Sequence, residues 1–80
     1  MARTRTVTPN QTELLAAAAR RVTLPVGASV QLEYDEEADT LYVRLSELRA
    51  NRSESKWDEG VVFDYHDDQL VGIEVLDVLS

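Results

Sequence analysis

Four short runs between Val30 and Val75 place an apolar residue at every second position: Val30, Leu32 and Tyr34; Leu41, Val43 and Leu45; Val61, Phe63 and Tyr65; Val71, Ile73 and Val75. A period of two sends alternate side chains to opposite faces of a strand, so each run reads as a strand with one apolar face. The intervening residues Gln31, Glu33, Tyr42, Arg44, Val62, Asp64 and Glu74 form the other face, which an antiparallel sheet can leave open to water. Pairing Tyr34 with Leu41, Leu32 with Val43 and Val30 with Leu45 brings the first two apolar sets together, with Asp35 to Thr40 as the connection. Register is set by this requirement, because a slip of one residue would turn every apolar side chain outward.

The second pair of runs leaves a choice of turn. A two-residue turn at Asp67-Asp68 pairs Phe63 with Gly72 and splits the apolar residues between the faces, whereas a three-residue loop from Asp67 to Gln69 pairs Phe63 with Ile73 and Val61 with Val75. The pattern therefore predicts the longer loop, under some strain because it has no glycine for a positive φ. Residues 47 to 60 between the hairpins are charged and contain one large apolar residue, Trp57. Ser53 to Trp57 are read as an extension of the third strand. The expected architecture is α+β: an N-terminal helix, then a four-stranded antiparallel β meander made of two hairpins.

The helix is expected over Thr8 to Arg21, with Thr8 at the N-cap, Pro9 at the first helical position and Gln11 completing a capping box. Leu14, Ala18 and Val22 at spacing four give it a narrow apolar stripe, and Arg20 and Arg21 fall at the negative end of its dipole. Pro25 and Gly27 mark its end and divide an N-terminal arm and helix, residues 1–27, from a β domain, residues 28–80.

The charge divides at the same place. Residues 1–27 hold four arginines and one glutamate, a charge of +3, while the remainder sets four basic residues against 14 acidic ones, a charge of -10. An acidic body repels a phosphate backbone, so nucleic-acid binding by the β domain is not expected. The basic helix segment and the acidic body can attract each other within one chain or across a dimer. An 80-residue chain with 44% hydrophobic and 29% charged residues has the make-up of a globular domain with a thin core. It has no cysteine and one histidine, which excludes a disulfide framework and a Cys- or His-cluster zinc site. The first eight residues contain two arginines with no apolar segment behind them, so a cytoplasmic protein without a leader is the expectation.

Few residues suggest chemistry. Asp35-Glu36-Glu37-Ala38-Asp39 lacks the glycine and the terminal glutamate of an EF-hand loop and reads as a solvated turn. Asp64, His66 and Asp68 alternate before the second turn and define one alternative, a small metal-dependent or acid-base enzyme. No nucleophile elbow, P-loop or dinucleotide-binding glycine motif is present. Arg44 stands among Glu33, Asp64 and Glu74 on the polar face, as part of an ion-pair network or of a docking face. Gly72 in mid-strand implies close packing that leaves room for a neighbour such as Tyr42. Trp57 reads as a core lid or as a partner anchor.

Leu32 to Leu45 with its Tyr-Asp-x-x-x-Asp-x-Leu-Tyr element, Gly60 to Tyr65, and Leu70 to Asp77 with its Val-Gly-Ile-Glu element resemble the small prokaryotic family catalogued as domain of unknown function 2283. The resemblance spans about residues 30–77. It implies a compact antiparallel β domain without assigned catalysis, whose relatives are sometimes encoded beside small toxin-like proteins. The second turn lacks the family's usual glycine, and the chain ends Asp77-Val78-Leu79-Ser80 where an Ala-Ser pair is typical.

Together these readings predict an uncharacterised, non-catalytic interaction module with no cofactor and no bound metal. It is expected to form a homodimer, to bind a small basic protein in an antitoxin-like manner, and to avoid membranes. Tyr42, Arg44, Asp64, Gly72, Glu74 and Trp57 are the expected interaction residues.

Overall fold

A computed structural model describes residues 10–23 and 30–80. The first element, α1, spans Gln11–Ala19 and is shorter than the sequence pattern predicts. Its cap is Asn10, in extended conformation, whose side chain accepts a hydrogen bond from the Glu13 amide at 2.8 Å. Asparagine caps as well as threonine does, and here it starts the helix two residues later than Thr8. Thr8, Pro9, Pro25 and Gly27 lie outside the described residues. The predicted stripe is present: Leu14, Ala18 and Val22 are buried in one cluster with Leu41, Val43, Val61, Ile73, Val75 and Val78.

Five strands follow, and this corrects the four-stranded meander. They are β1 (Gln31–Asp35), β2 (Thr40–Arg44), β3 (Arg52–Lys56), β4 (Val61–His66) and β5 (Gln69–Val75), all paired antiparallel in the order β1-β2-β5-β4-β3. The segment read as an extension is a separate strand at the outer edge, paired Arg52 to Tyr65 and Lys56 to Val61. All five of its residues are exposed, so it carries no apolar period and is held by backbone pairing. Its charged side chains also protect that edge against unwanted pairing.

The last strand occupies the centre because it has the most surface to bury: Val71, Gly72, Ile73 and Val75 are all inaccessible. β3 runs antiparallel to β2 and begins at the end of the sheet where β2 stops. Residues 45–51 cross that end over three strand spacings, roughly 14 Å, within reach of seven residues at about 3.3 Å each. The crossing is tied down along its length, by Leu45 N–H to Val71 O (2.9 Å), His66 Nδ1 to Arg49 O (2.8 Å) and Asn51 N–H to Tyr65 O (2.8 Å).

The first hairpin has the predicted register, Leu32 with Val43 and Tyr34 with Leu41. In the second, Phe63 pairs with Ile73 and Val61 with Val75 as expected, yet His66 pairs with Gln69 across the two-residue turn Asp67-Asp68. Both hold because Asp64 faces Gly72 while Tyr65 faces Leu70, leaving Val71 as an extra residue in β5. This bulge restores the apolar register that the short turn would otherwise break. Asp67 takes the positive φ of 53°. Asn51 stabilises it, accepting from the Asp67 amide at 3.0 Å and donating to its carboxylate at 3.1 Å.

Arg21 joins the helix end to the sheet through the backbone oxygens of Leu76 and Asp77, the latter at 2.7 Å. Trp57 sits in the turn after β3 and is 73% exposed, so it is not a core lid. No helix among the described residues is long and apolar enough to cross a membrane.

Candidate functional site

The face of the sheet turned away from α1 is organised in two rows. One runs Glu33, Tyr42, Glu74, Val62 and Ser55 across β1, β2, β5, β4 and β3; the next runs Gln31, Arg44, Gly72, Asp64 and Ser53. Five of the six expected interaction residues, Tyr42, Arg44, Asp64, Gly72 and Glu74, therefore share one patch. Trp57, in the β3–β4 turn, belongs to neither row.

Gly72 organises the centre of the patch. A Cβ there would collide with the hydroxyl and ring of Tyr42, which leans diagonally from the neighbouring row into the space glycine leaves. Asp64, cross-strand from Gly72, is only 6% exposed and accepts a hydrogen bond from Ser53 Oγ at 2.5 Å. Glu74 stands diagonally from Asp64 in the adjacent row, since Asp64 pairs with Gly72 and Val62 with Glu74. Burial, followed by the Asp64 carboxyl, pushes Glu74 up to about 7. Burial and the Asp64 charge likewise raise the Tyr42 phenol, against the opposing pull of Arg44.

Arg44 is the cation the chain itself places on this face. Its guanidinium donates to Glu33 at 2.9 Å and stacks over the Tyr42 ring, 5.3 Å from the centroid. Beside it lies an open groove of about 840 Å³, lined by Glu33, Tyr34, Asp35, Glu36, Glu37, Ala38, Thr40, Tyr42, Glu74 and Leu76. Five of these ten residues are acidic and none is basic. The acidic turn read as merely solvated is thus one wall of a groove whose floor includes Glu74.

The groove's end is fixed by Asp39. This residue, at a φ of 51°, accepts hydrogen bonds from Tyr34 Oη (2.7 Å), Ser80 Oγ (2.5 Å) and the Leu79 amide (3.3 Å). Burial works to raise the Asp39 pKa, but the hydrogen bonds from Ser80, Tyr34 and Leu79 outweigh it and leave the carboxylate below its usual range. The hydrogen bond to Asp39, followed by burial and the carboxylate's charge, pushes Tyr34 up to about 12.

Asp64, His66 and Asp68 are not brought to one point. Asp64 is bonded to Ser53, His66 turns its Nδ1 to Arg49 O, and Asp68 is exposed in the turn. Among the described residues no group of three or more His, Asp or Glu side chains is arranged to hold a metal ion. The Asp64–Glu74 neighbourhood could not be singled out from sequence among 15 acidic residues, although Gly72 opposite a large polar neighbour was its signal.

Fold and face define a class: a small antiparallel sheet with one side packed under a short helix and the other side open and acidic. The chain belongs to the family described as Protein of unknown function (DUF2283), whose model matches residues 31–78, more than half of its length. The match begins with β1 and takes in all five strands and the buried Val78; α1 lies before it. No curated protein and no solved structure matches the chain.

Proposed function

We propose that this protein is a non-catalytic interaction module whose open sheet face docks a cationic segment of a partner protein. The observation carrying this reading is the groove of about 840 Å³ with five acidic residues and two tyrosines in its lining. Carboxylates beside tyrosine rings suit a guanidinium or ammonium group, which gains both charge pairing and a cation–π contact. The chain's own Arg44, bonded to Glu33 and stacked on Tyr42, is an internal example of that recognition. An antitoxin-like role is the finer form of the proposal: a small basic protein is the partner such a surface would steer most effectively.

The test is an amide NMR titration with an oligoarginine peptide at low and high salt. Shifts confined to residues 33–42 and 72–76 and abolished by Glu36→Lys with Glu37→Lys are expected. Shifts spread evenly over the surface, or unchanged by the double reversal, overturn the reading.

Self-association is a second reading, supported by Trp57 at 73% exposure and by the outer edge of β1, which has no partner strand among the described residues. Sedimentation at micromolar concentration tests it, and a monomer whose mass is unaffected by Trp57→Ala counts against it.

A further inference from the structure

We infer that β3 is a strap that opens as a unit from the edge of the sheet, hinged at the turn after Lys56 and latched by the hydrogen bond from Ser53 to the buried Asp64. Three observations combine. All five β3 side chains are exposed and none belongs to the core cluster, so lifting the strand gives up backbone pairing and a few side-chain ties while the packing beneath α1 stays in place. Those ties gather at one end: Asn51 exchanges hydrogen bonds with the Asp67 amide (3.0 Å) and carboxylate (3.1 Å), Arg52 stacks 4.3 Å from the Tyr65 centroid, and Ser53 Oγ donates to Asp64 at 2.5 Å. The other end is anchored to β5. The Gly60 carbonyl accepts from the Leu76 amide at 2.8 Å, and the turn closes on itself through Glu59 N–H to Lys56 O (3.0 Å) and Gly60 N–H to Trp57 O (3.2 Å).

Asp64 makes the latch more than an edge contact. Its carboxyl group is almost inaccessible and takes its hydrogen bond from the Ser53 hydroxyl. A carboxylate shut away from water without a donor is costly, whereas a hydrated one is not. The closed strap therefore depends on Ser53, and opening, which returns Asp64 to water, relieves whatever the latch leaves unsatisfied. Regions with few buried apolar contacts are those that open below the free energy of global unfolding. β3 is such a region, and β4 beside it is not: Val61, Val62 and Asp64 are buried. Opening bares the outer backbone edge of β4, a row of amide and carbonyl groups of the kind that accepts a further strand.

Amide hydrogen exchange on the full chain tests this, under conditions where reclosing outpaces exchange. Amides bonded across β3–β4 are expected to exchange through one shared opening with little urea dependence, and those across β4–β5 and β2–β5 only with global unfolding. Val78→Ala, which weakens the core away from β3, is expected to speed the β4–β5 set and leave the β3–β4 set unchanged. Ser53→Ala removes a bond that is broken in both the opened and the unfolded chain, so it is expected to speed both sets, by about 10- to 100-fold for a bond to a charged group. The same substitution is expected to matter less in an Asp64→Asn background, where the buried group is neutral, and Ser53→Thr is expected to keep near-wild-type protection. A β3–β4 set that exchanges at the β4–β5 rate, or that responds to Val78→Ala, has no opening of its own and overturns the inference. So does a β3 that exchanges like an unstructured chain, a β3–β4 set indifferent to Ser53→Ala, or an equal Ser53→Ala effect in the two backgrounds.

Discussion

The packing of Tyr42 over Gly72 yields the sharpest test of how the polar face is built. Gly72→Ala places a methyl group where the Tyr42 hydroxyl and ring lie, and these are the three nearest atoms it would meet. Forcing one carbon into an occupied site costs about 1–3 kcal/mol. Glycine inside a strand is itself unfavourable by about 0.5–1 kcal/mol relative to alanine, a gain that appears only once the clash is removed. Gly72→Ala is therefore expected to destabilise the wild-type chain by about 1–3 kcal/mol and to stabilise a Tyr42→Ala background by about 0.5 kcal/mol. For a domain of this size each kcal/mol shifts the melting temperature by about 4–8 °C, so the two backgrounds separate clearly. The assay is urea unfolding followed by far-ultraviolet circular dichroism, because the exposed Trp57 reports little on burial. Equal effects in both backgrounds, within about 0.5 kcal/mol, would refute the reasoning, since contacting residues must couple.

Glu74→Gln should alter the pH dependence of stability. The folded-state value of about 7 lies above the ordinary 4.5, so the folded chain binds this proton more tightly than the unfolded one. Its contribution is complete below the unfolded value and is lost as pH rises through about 7; Glu74→Gln should remove that decline and be more stable at pH 8 by about 1–2 kcal/mol, allowing for solvent screening. Among the three aspartates with positive φ, Asp39→Gly should cost most, about 2–3 kcal/mol for three lost hydrogen bonds, and Asp67→Gly less, in chemical denaturation. Asp77→Gly should be neutral or stabilising, because that residue's backbone oxygen makes the contact to Arg21; a reversed order would contradict the assigned roles. Asp39→Asn should also lower the phenolate titration of Tyr34 from about 12, read by ultraviolet absorbance. Asn10→Ala should cost about 1 kcal/mol and reduce the helical signal in circular dichroism.

Sequence pattern revealed the strands that bury something and missed the one that does not. β1, β2, β4 and β5 all have an apolar side every second residue, and so does the register of the first hairpin. β3 has five exposed polar side chains and exists because β4 offers it a row of backbone partners. Strand order was equally invisible, since alternation says which way a side chain points and nothing about which strand lies beside it. The second turn was misjudged for a related reason: the hydrophobic pattern demanded one register and the shortest turn another, and the extra residue Val71 reconciles them. Alternation did place Tyr42, Arg44, Asp64, Gly72 and Glu74 on one face. The predicted pairing of β4 with β5 already set Asp64 diagonal to Glu74, but with 15 acidic residues in the chain that neighbourhood did not stand out.

The acidic excess acquires meaning when the carboxylates are sorted by what they touch. Asp39 and Asp67 spend theirs on turns, bonding the chain's own hydroxyls and amides. The basic N-terminal region and the acidic body can attract each other within one chain or across a dimer; among the described residues Arg21 binds the backbone oxygens of Leu76 and Asp77, and the helix is held to the sheet by Leu14, Ala18 and Val22. Among the described residues the pairs between permanently charged side chains and carboxylates are Arg44 with Glu33 and Arg52 with Glu54, so Glu33 alone of the groove's acidic residues has an ionic partner there. A sheet that needed those charges for its own stability would pair them across strands. Here Asp35, Glu36, Glu37 and Glu74 face the groove instead, the distribution that the proposed docking of a cation from outside the chain requires.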